Sequence, residues 1–180
     1  MKFIGEVKNM AGWDPNKGYD RGRQFRDSEI RDSEINTLIS YIQKGAGPDA
    51  SLNIFYNDGP IAKLAKNISM HQLRKFHSEI LSIEDMINLA MSKSKSQDFE
   101  KIRIKLAKLE PVIYYTQARV KDINILGKFM IRAIGEINKE NDIKSWREKF
   151  IRFKDIFDSV IAYSKKDSEK KKGKKEEDEE

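Results

Sequence analysis

Cysteine is absent from this chain. That excludes a disulfide scaffold, a thiolate zinc site and a cysteine nucleophile together. Histidine is almost absent: His71 and His77 are the only two. Proline occurs four times and long Val/Thr runs do not occur, so a strand-rich fold has little to build on. No stretch approaches the roughly 18 consecutive apolar residues that cross a bilayer. The opening "MKFIGEVKNMAGW" also lacks the continuous apolar centre of a signal peptide. The expectation is a soluble cytoplasmic protein without membrane contact.

Charge is what the chain has in quantity: charged residues make up 36% and hydrophobic ones 38%. This balance suits helices whose outer faces carry Lys and Glu. The net charge is +6, and the last 17 residues, "SKKDSEKKKGKKEEDEE", contribute nothing to it, with seven Lys against seven Asp or Glu. The excess therefore belongs to residues 1–163, with 28 basic residues against 22 acidic. Clustered Lys and Arg attract polyanions by releasing counterions, although +6 serves solubility equally well.

The chain reads as three regions. Residues 1–27 form an irregular, Gly-rich arm whose "KGYDRGRQFR" mixes Lys17, Arg21, Arg23 and Arg26 with Tyr19 and Phe25. Such a mixture can hold single-stranded RNA by charge and stacking or stand as a solvated tail. The tandem "RDSEIRDSEI" at 26–35 has a period of neither helix nor strand and reads as a local duplication. Residues 28–163 form a helical domain, and 164–180 a disordered charged tail whose charge blocks cannot bury a core.

Within the domain, Ile35, Leu38, Ile39 and Ile42 define a first helix stopped by Gly45. Residues 45–60, "GAGPDASLNIFYNDGP", read as a long connection, followed by a short helix with Pro60 in its first turn. Ser69 and Gln72 have capping-box spacing. The helix they open carries Leu73, Phe76, Ile80, Ile83, Ile87 and Ala90 in alternating steps of three and four. A helix from near Ser96 repeats that rhythm through Phe99, Ile102, Leu106, Leu109, Ile113, Thr116 and Val120, and Pro111 should bend or divide it. Two more helices cover roughly 123–138 and 142–164. Their apolar residues are Leu126, Phe129, Met130, Ala133, Ile134 and Ile137, then Ile143, Trp146, Phe150, Phe153, Phe157 and Val160. The fold class is all-α, a compact bundle of about five to six helices. Gly127 and Gly135 inside the fourth long segment suggest close helix packing or the close approach of a phosphate backbone.

Enzymatic chemistry finds no foothold. His71 and His77 stand about 120° apart on a helix, unlike the i,i+4 pair that clasps one metal, and there is no third nitrogen ligand. The chain has neither a nucleophile elbow nor a P-loop. Asp142 in "DIK" fits a helix N-terminus better than a nuclease site. The expectation is a protein that is not an enzyme and needs no metal or cofactor. What remains is charge. Arg74 and Lys75 flank the buried seam of "ISMHQLRKFHSEI", while His71, Arg74 and Ser78 form a stripe beside the core. Tyr115 and Arg119 are i,i+4 neighbours with Lys121 just beyond, and Lys128 and Arg132 form another i,i+4 pair. Guanidinium beside tyrosine suits RNA, through stacking and phosphate pairing, whereas any one of these cations alone reads as a solvated surface group.

Three stretches taken in order, "SMHQLRKFHSEI", "LEPVIYYTQARV" and "FIRFKDIFDSVIAYSKK", resemble the small-subunit (Csm) family of type III-A CRISPR interference complexes. The resemblance covers about residues 60–166. It implies a helical, non-catalytic antiviral-defence subunit present in several copies. These copies stack along a filament of backbone subunits, and their basic faces line the groove holding guide RNA and target RNA. Carried onto this chain, Arg74, Lys75 and Arg119 become the leading RNA-backbone contacts. The arm before residue 28, the 45–60 connection and the tail have no counterpart in the pattern. The alternative is a helical scaffold that binds other proteins through its 3-4 seams and does not touch nucleic acid.

Overall fold

The computed structural model describes residues 30–93 and 97–177. The arm with Lys17, Tyr19, Arg21, Arg23, Phe25 and Arg26 lies outside the described residues, as does Ser96. Among the described residues the chain is all-α, with no strand. Six helices have eleven residues or more, namely α1 Asp32–Lys44, α4 Met70–Lys93, α5 Gln97–Ala107, α6 Leu109–Arg119, α7 Asn124–Ile137 and α8 Ile143–Glu177. Two are shorter, α2 Pro48–Phe55 and α3 Pro60–Ala65, and one 3₁₀ turn covers Lys121–Ile123.

Helix α8 carries the aromatic spine of the core. Trp146, Phe150, Phe153 and Phe157 recur at three- and four-residue steps, all fully buried. Trp146 stacks on Phe150 at 5.4 Å between ring centroids, and Phe99 of α5 meets the indole edge-on at 6.0 Å. Phe129 of α7 packs on Phe153 at 6.2 Å. Helices α1, α3, α4 and α7 surround α8, and the seams read from the sequence are the faces they bury. Ile35, Leu38, Ile39 and Ile42 of α1 are buried, as are all six named residues of α4 and all six of α7. Phe99, Thr116, Val120 and Ile143 are half-buried at the margins.

The helix ends follow local chemistry. Gly45 adopts φ +70° and its N–H donates to the Tyr41 carbonyl at 2.8 Å, a backbone state that costs glycine nothing. Arg152 adds a hydrogen bond to the Ile42 carbonyl at 3.0 Å, placing a cation at the negative end of α1. Pro111 divides its segment: lacking an N–H to return to the Ala107 carbonyl, it sits in the first turn of a new helix, α6. Asp142 caps α8, its carboxylate accepting the Ser145 N–H at 2.9 Å, and that bond holds its pKa below the ordinary value.

Three differences from the sequence reading stand out. The 45–60 connection contains helix α2, because Pro48 occupies a first-turn position, where its missing N–H is harmless. Helix α8 continues to Glu177, past residue 163 where the reading ended the domain and into the segment from 164 that it took as a disordered tail. The added segment is rich in Lys and Glu, strong helix formers, and holds no proline. Gly127 and Gly135 also part company. A Cβ at Gly127 would come within 2.6 Å of the Gln117 side chain, whereas one at Gly135 would meet nothing within 4 Å. Only Gly127 therefore serves close helix packing. We expect Gly135→Ala to raise the unfolding free energy by about 0.5–1 kcal/mol. A urea midpoint that stays put or falls would show that the open face is not as described.

Candidate functional site

The start of α4 and the end of α6 lie side by side and enclose a cleft of about 380 Å³. Its lining is His71, Gln72, Lys75 and Phe76 from α4, Tyr115, Thr116 and Arg119 from α6, and Val120 just after it. No carboxylate is among them. Arg119 lies over the Tyr115 ring, 5.4 Å from its centroid, and its Nη1 donates to the Tyr115 hydroxyl at 2.7 Å. The two therefore form one exposed plate of ring and guanidinium, as the i,i+4 spacing predicts. Tyr115 is 60% exposed. The Gln72 Oε1 atom is buried and accepts no hydrogen bond among the described residues. The capping box suggested by Ser69 and Gln72 is therefore not closed by Gln72. The Ser69 carbonyl does accept the Gln72 and Leu73 N–H groups at 3.1 and 3.3 Å. A buried acceptor left unpaired costs about 1–3 kcal/mol.

A second, larger groove of about 560 Å³ adjoins the first and shares Lys75 and Phe76 with it. It runs between α4 and the α5–α6 pair. Lys75, Lys101, Lys105 and Lys108 stand around an apolar floor that includes Met86, Ile104 and Val112, and Glu79 is its one acid. Lys105 donates to the Ser82 hydroxyl at 2.5 Å, and Lys101 pairs with Asp98 at 3.2 Å.

Of the six cations singled out in the sequence, Lys75 and Arg119 come together at the first cleft. Arg74 is exposed one position away, with no ion pair among the described residues, and Lys121 is exposed in the 3₁₀ turn after α6. Lys128 and Arg132 belong to a different surface, where α7 meets α1. Lys128 pairs with Asp32 at 2.6 Å and Arg132 donates to Asn36 at 2.7 Å. The hydrogen bond and charge of Lys128, with Arg132 nearby, hold the exposed Asp32 carboxyl below its ordinary pKa. Their positive charge is thus partly answered within the fold. Lys101, Lys105 and Lys108 went unremarked in the sequence, although their i,i+4,i+7 spacing is a legible one-sided helical stripe.

The two histidines separate. His71 lines the cleft, whereas His77 bonds Asp158 at 3.1 Å and stacks on Phe157 at 6.5 Å. Among the described residues no group of three or more His, Cys, Asp or Glu could hold a metal ion, and no helix is long and apolar enough to cross a membrane.

Among known families, the one described as Csm2 Type III-A matches residues 53–170. No curated protein and no solved structure matches the chain. The matched span begins in α2 and includes both clefts and the whole aromatic spine.

Proposed function

The chain belongs to the Csm2 Type III-A family, a family of structural small subunits of a type III-A CRISPR complex, and on that premise we propose that its cleft face contacts RNA. Lys75 and Arg119, with Arg74 and Lys121 beside them, neutralise phosphates of the guide and target RNA held in the complex. Lys128 and Arg132 add a weaker flank, since Asp32 and Asn36 already engage them. The protein acts without catalysis or a cofactor of its own, in the cytoplasm, alongside backbone subunits and further copies of itself in the filament. Sequence is left to base pairing, and the protein reads shape and backbone, as other RNA-guided effectors do.

One observation carries the reading: a lysine from one helix meets an arginine and an exposed tyrosine from another at a cleft whose lining has no acid. A solvated surface has no need of that convergence, whereas an RNA strand uses all three groups. Fluorescence anisotropy of a ~30-nucleotide single-stranded RNA, titrated from low to high salt, tests it, because each phosphate contact contributes about 0.7 to the log–log salt slope. The Lys75→Glu/Arg119→Glu variant of the full chain is expected to bind at least ~10-fold more weakly at low salt, with a slope shallower by about 1–2. Identical affinity and slope in the two proteins would sink the assignment.

A second reading, a scaffold that meets only proteins, draws on the apolar floor of the larger groove, where Ile104 is 47% exposed. It predicts no RNA binding, and normal assembly into the complex of Arg119→Glu alone, which lies outside that groove.

A further inference from the structure

We infer that the smaller cleft is a pocket for one unstacked nucleobase. This rests on the RNA reading above and goes beyond phosphate neutralisation. Three features converge there, and phosphate contacts alone explain only one of them.

The cations Lys75 and Arg119 stand at the cleft and account for a phosphate. Tyr115 accounts for a base. Its ring is 60% exposed and backed on one side by the Arg119 guanidinium. The hydroxyl bond to Arg119 fixes the ring's orientation. A ring held in place and open to solvent is a stacking platform that loses little entropy when a base settles on it. Phe76, itself buried, and Val120 supply an apolar wall.

The third feature is Gln72. Its Oε1 is buried in a residue that lines the cleft, and it lacks a partner among the described residues. An acceptor with no partner gives up no hydrogen bond when the carboxamide turns, so Oε1 can swing toward the cleft and meet a donor that arrives with the ligand. A base edge provides one, an exocyclic amine or a ring N–H, and a phosphate provides none. The carboxamide also carries two donors, and its last torsion is broad and two-fold. Rotation therefore lets it meet a carbonyl edge as readily as an amino edge. The pocket is consequently tolerant of base identity, as a subunit serving many guide sequences requires. The cleft volume of about 380 Å³ lies within the ~300–1,000 Å³ of small-molecule clefts, enough for a base with its ribose.

The test compares base-bearing RNA with the same length of abasic ribose-phosphate, using the full chain and end-labelled strands of ~12 nucleotides. Tyr115→Ala is expected to weaken base-bearing RNA by ~10-fold while leaving abasic binding and the salt slope unchanged. Gln72→Leu is expected to weaken all-adenine and all-uracil RNA alike. It should also raise the thermal midpoint of the free protein, because it removes an unpaired buried acceptor. A residue needed only for structure would lower the midpoint instead, and that result would overturn the role given to Gln72. Equal binding of abasic and base-bearing strands, with binding still lost in Lys75→Glu/Arg119→Glu, would overturn the base pocket and leave the phosphate reading standing. Failure of the wild-type chain to bind any RNA at low salt would remove both.

Discussion

Trp146→Ala is expected to lower the unfolding free energy by about 3–5 kcal/mol, the range for deleting a large buried aromatic. The ring is fully buried, stacks on Phe150 at 5.4 Å and receives Phe99 edge-on at 6.0 Å. Its indole N–H also donates to Asn138 Oδ1 at 3.0 Å, tying α8 to the end of α7. Alanine would leave a cavity between α5 and α8 and strip Asn138 of that bond. Domains of this kind hold about 5–15 kcal/mol in total, so the loss is a large share. Urea unfolding followed by helical circular dichroism should show a much lower midpoint with an unchanged slope. Trp146→Phe, which keeps the ring and loses the N–H, should fall between the two. A loss under about 1 kcal/mol for the alanine variant would mean the indole is not packed as described.

Gly59→Ala is expected to cost about 1–3 kcal/mol, as overpacking does. Gly59 has φ −75°, open to any residue, so conformational freedom is not what the position demands. Space is. An added Cβ would stand 2.6 Å from the Asn53 carbonyl oxygen, 2.8 Å from that of Ile54 and 3.0 Å from that of Tyr56. All three are backbone atoms at the end of α2, and they yield only if α2 unwinds or swings away from α3. Gly135→Ala is the same change with the opposite expected sign, because nothing stands near that position. A Gly59→Ala protein with a wild-type midpoint would show that the α2–α3 turn has room the structure does not give it.

The larger groove has a bearing on how the two functional readings are separated. Lys75 belongs to both cavities, so its reversal alone disturbs both surfaces at once. Arg119 and Tyr115 line only the smaller cleft, and Lys101, Lys105 and Lys108 only the larger. Substitutions confined to one set therefore report on one surface.

The sequence was legible wherever the information is local. A 3-4 apolar rhythm is a property of one helix at a time: the seams of α1, α4 and α7 are buried residue for residue, and that of α8 is buried apart from half-buried Ile143. Gly45, Pro60 and Pro111 act through their own backbone chemistry, so their positions as stop, start and divider could be read directly. Helix α2 was missed for a related reason: Pro48 and its neighbouring glycines are turn residues by composition, and only Ile54 of that helix is buried, too little to print a period. The pairing of Tyr115 with Arg119 was also legible, being an i,i+4 relation.

What the sequence by itself determined, then, is an all-α chain, the buried face of each long helix, and a surplus of positive charge outside the tail. The tertiary structure alone decided which charges remain available. It set Lys75 beside Arg119 across two helices. It engaged Lys128 with Asp32, 96 positions away, and it left the Gln72 Oε1 buried without a partner in a residue that lines a cleft. Periodicity says which way a side chain points from its own helix axis. What that side chain meets depends on which helix packs alongside, and that is fixed by long-range packing around the aromatic spine of α8.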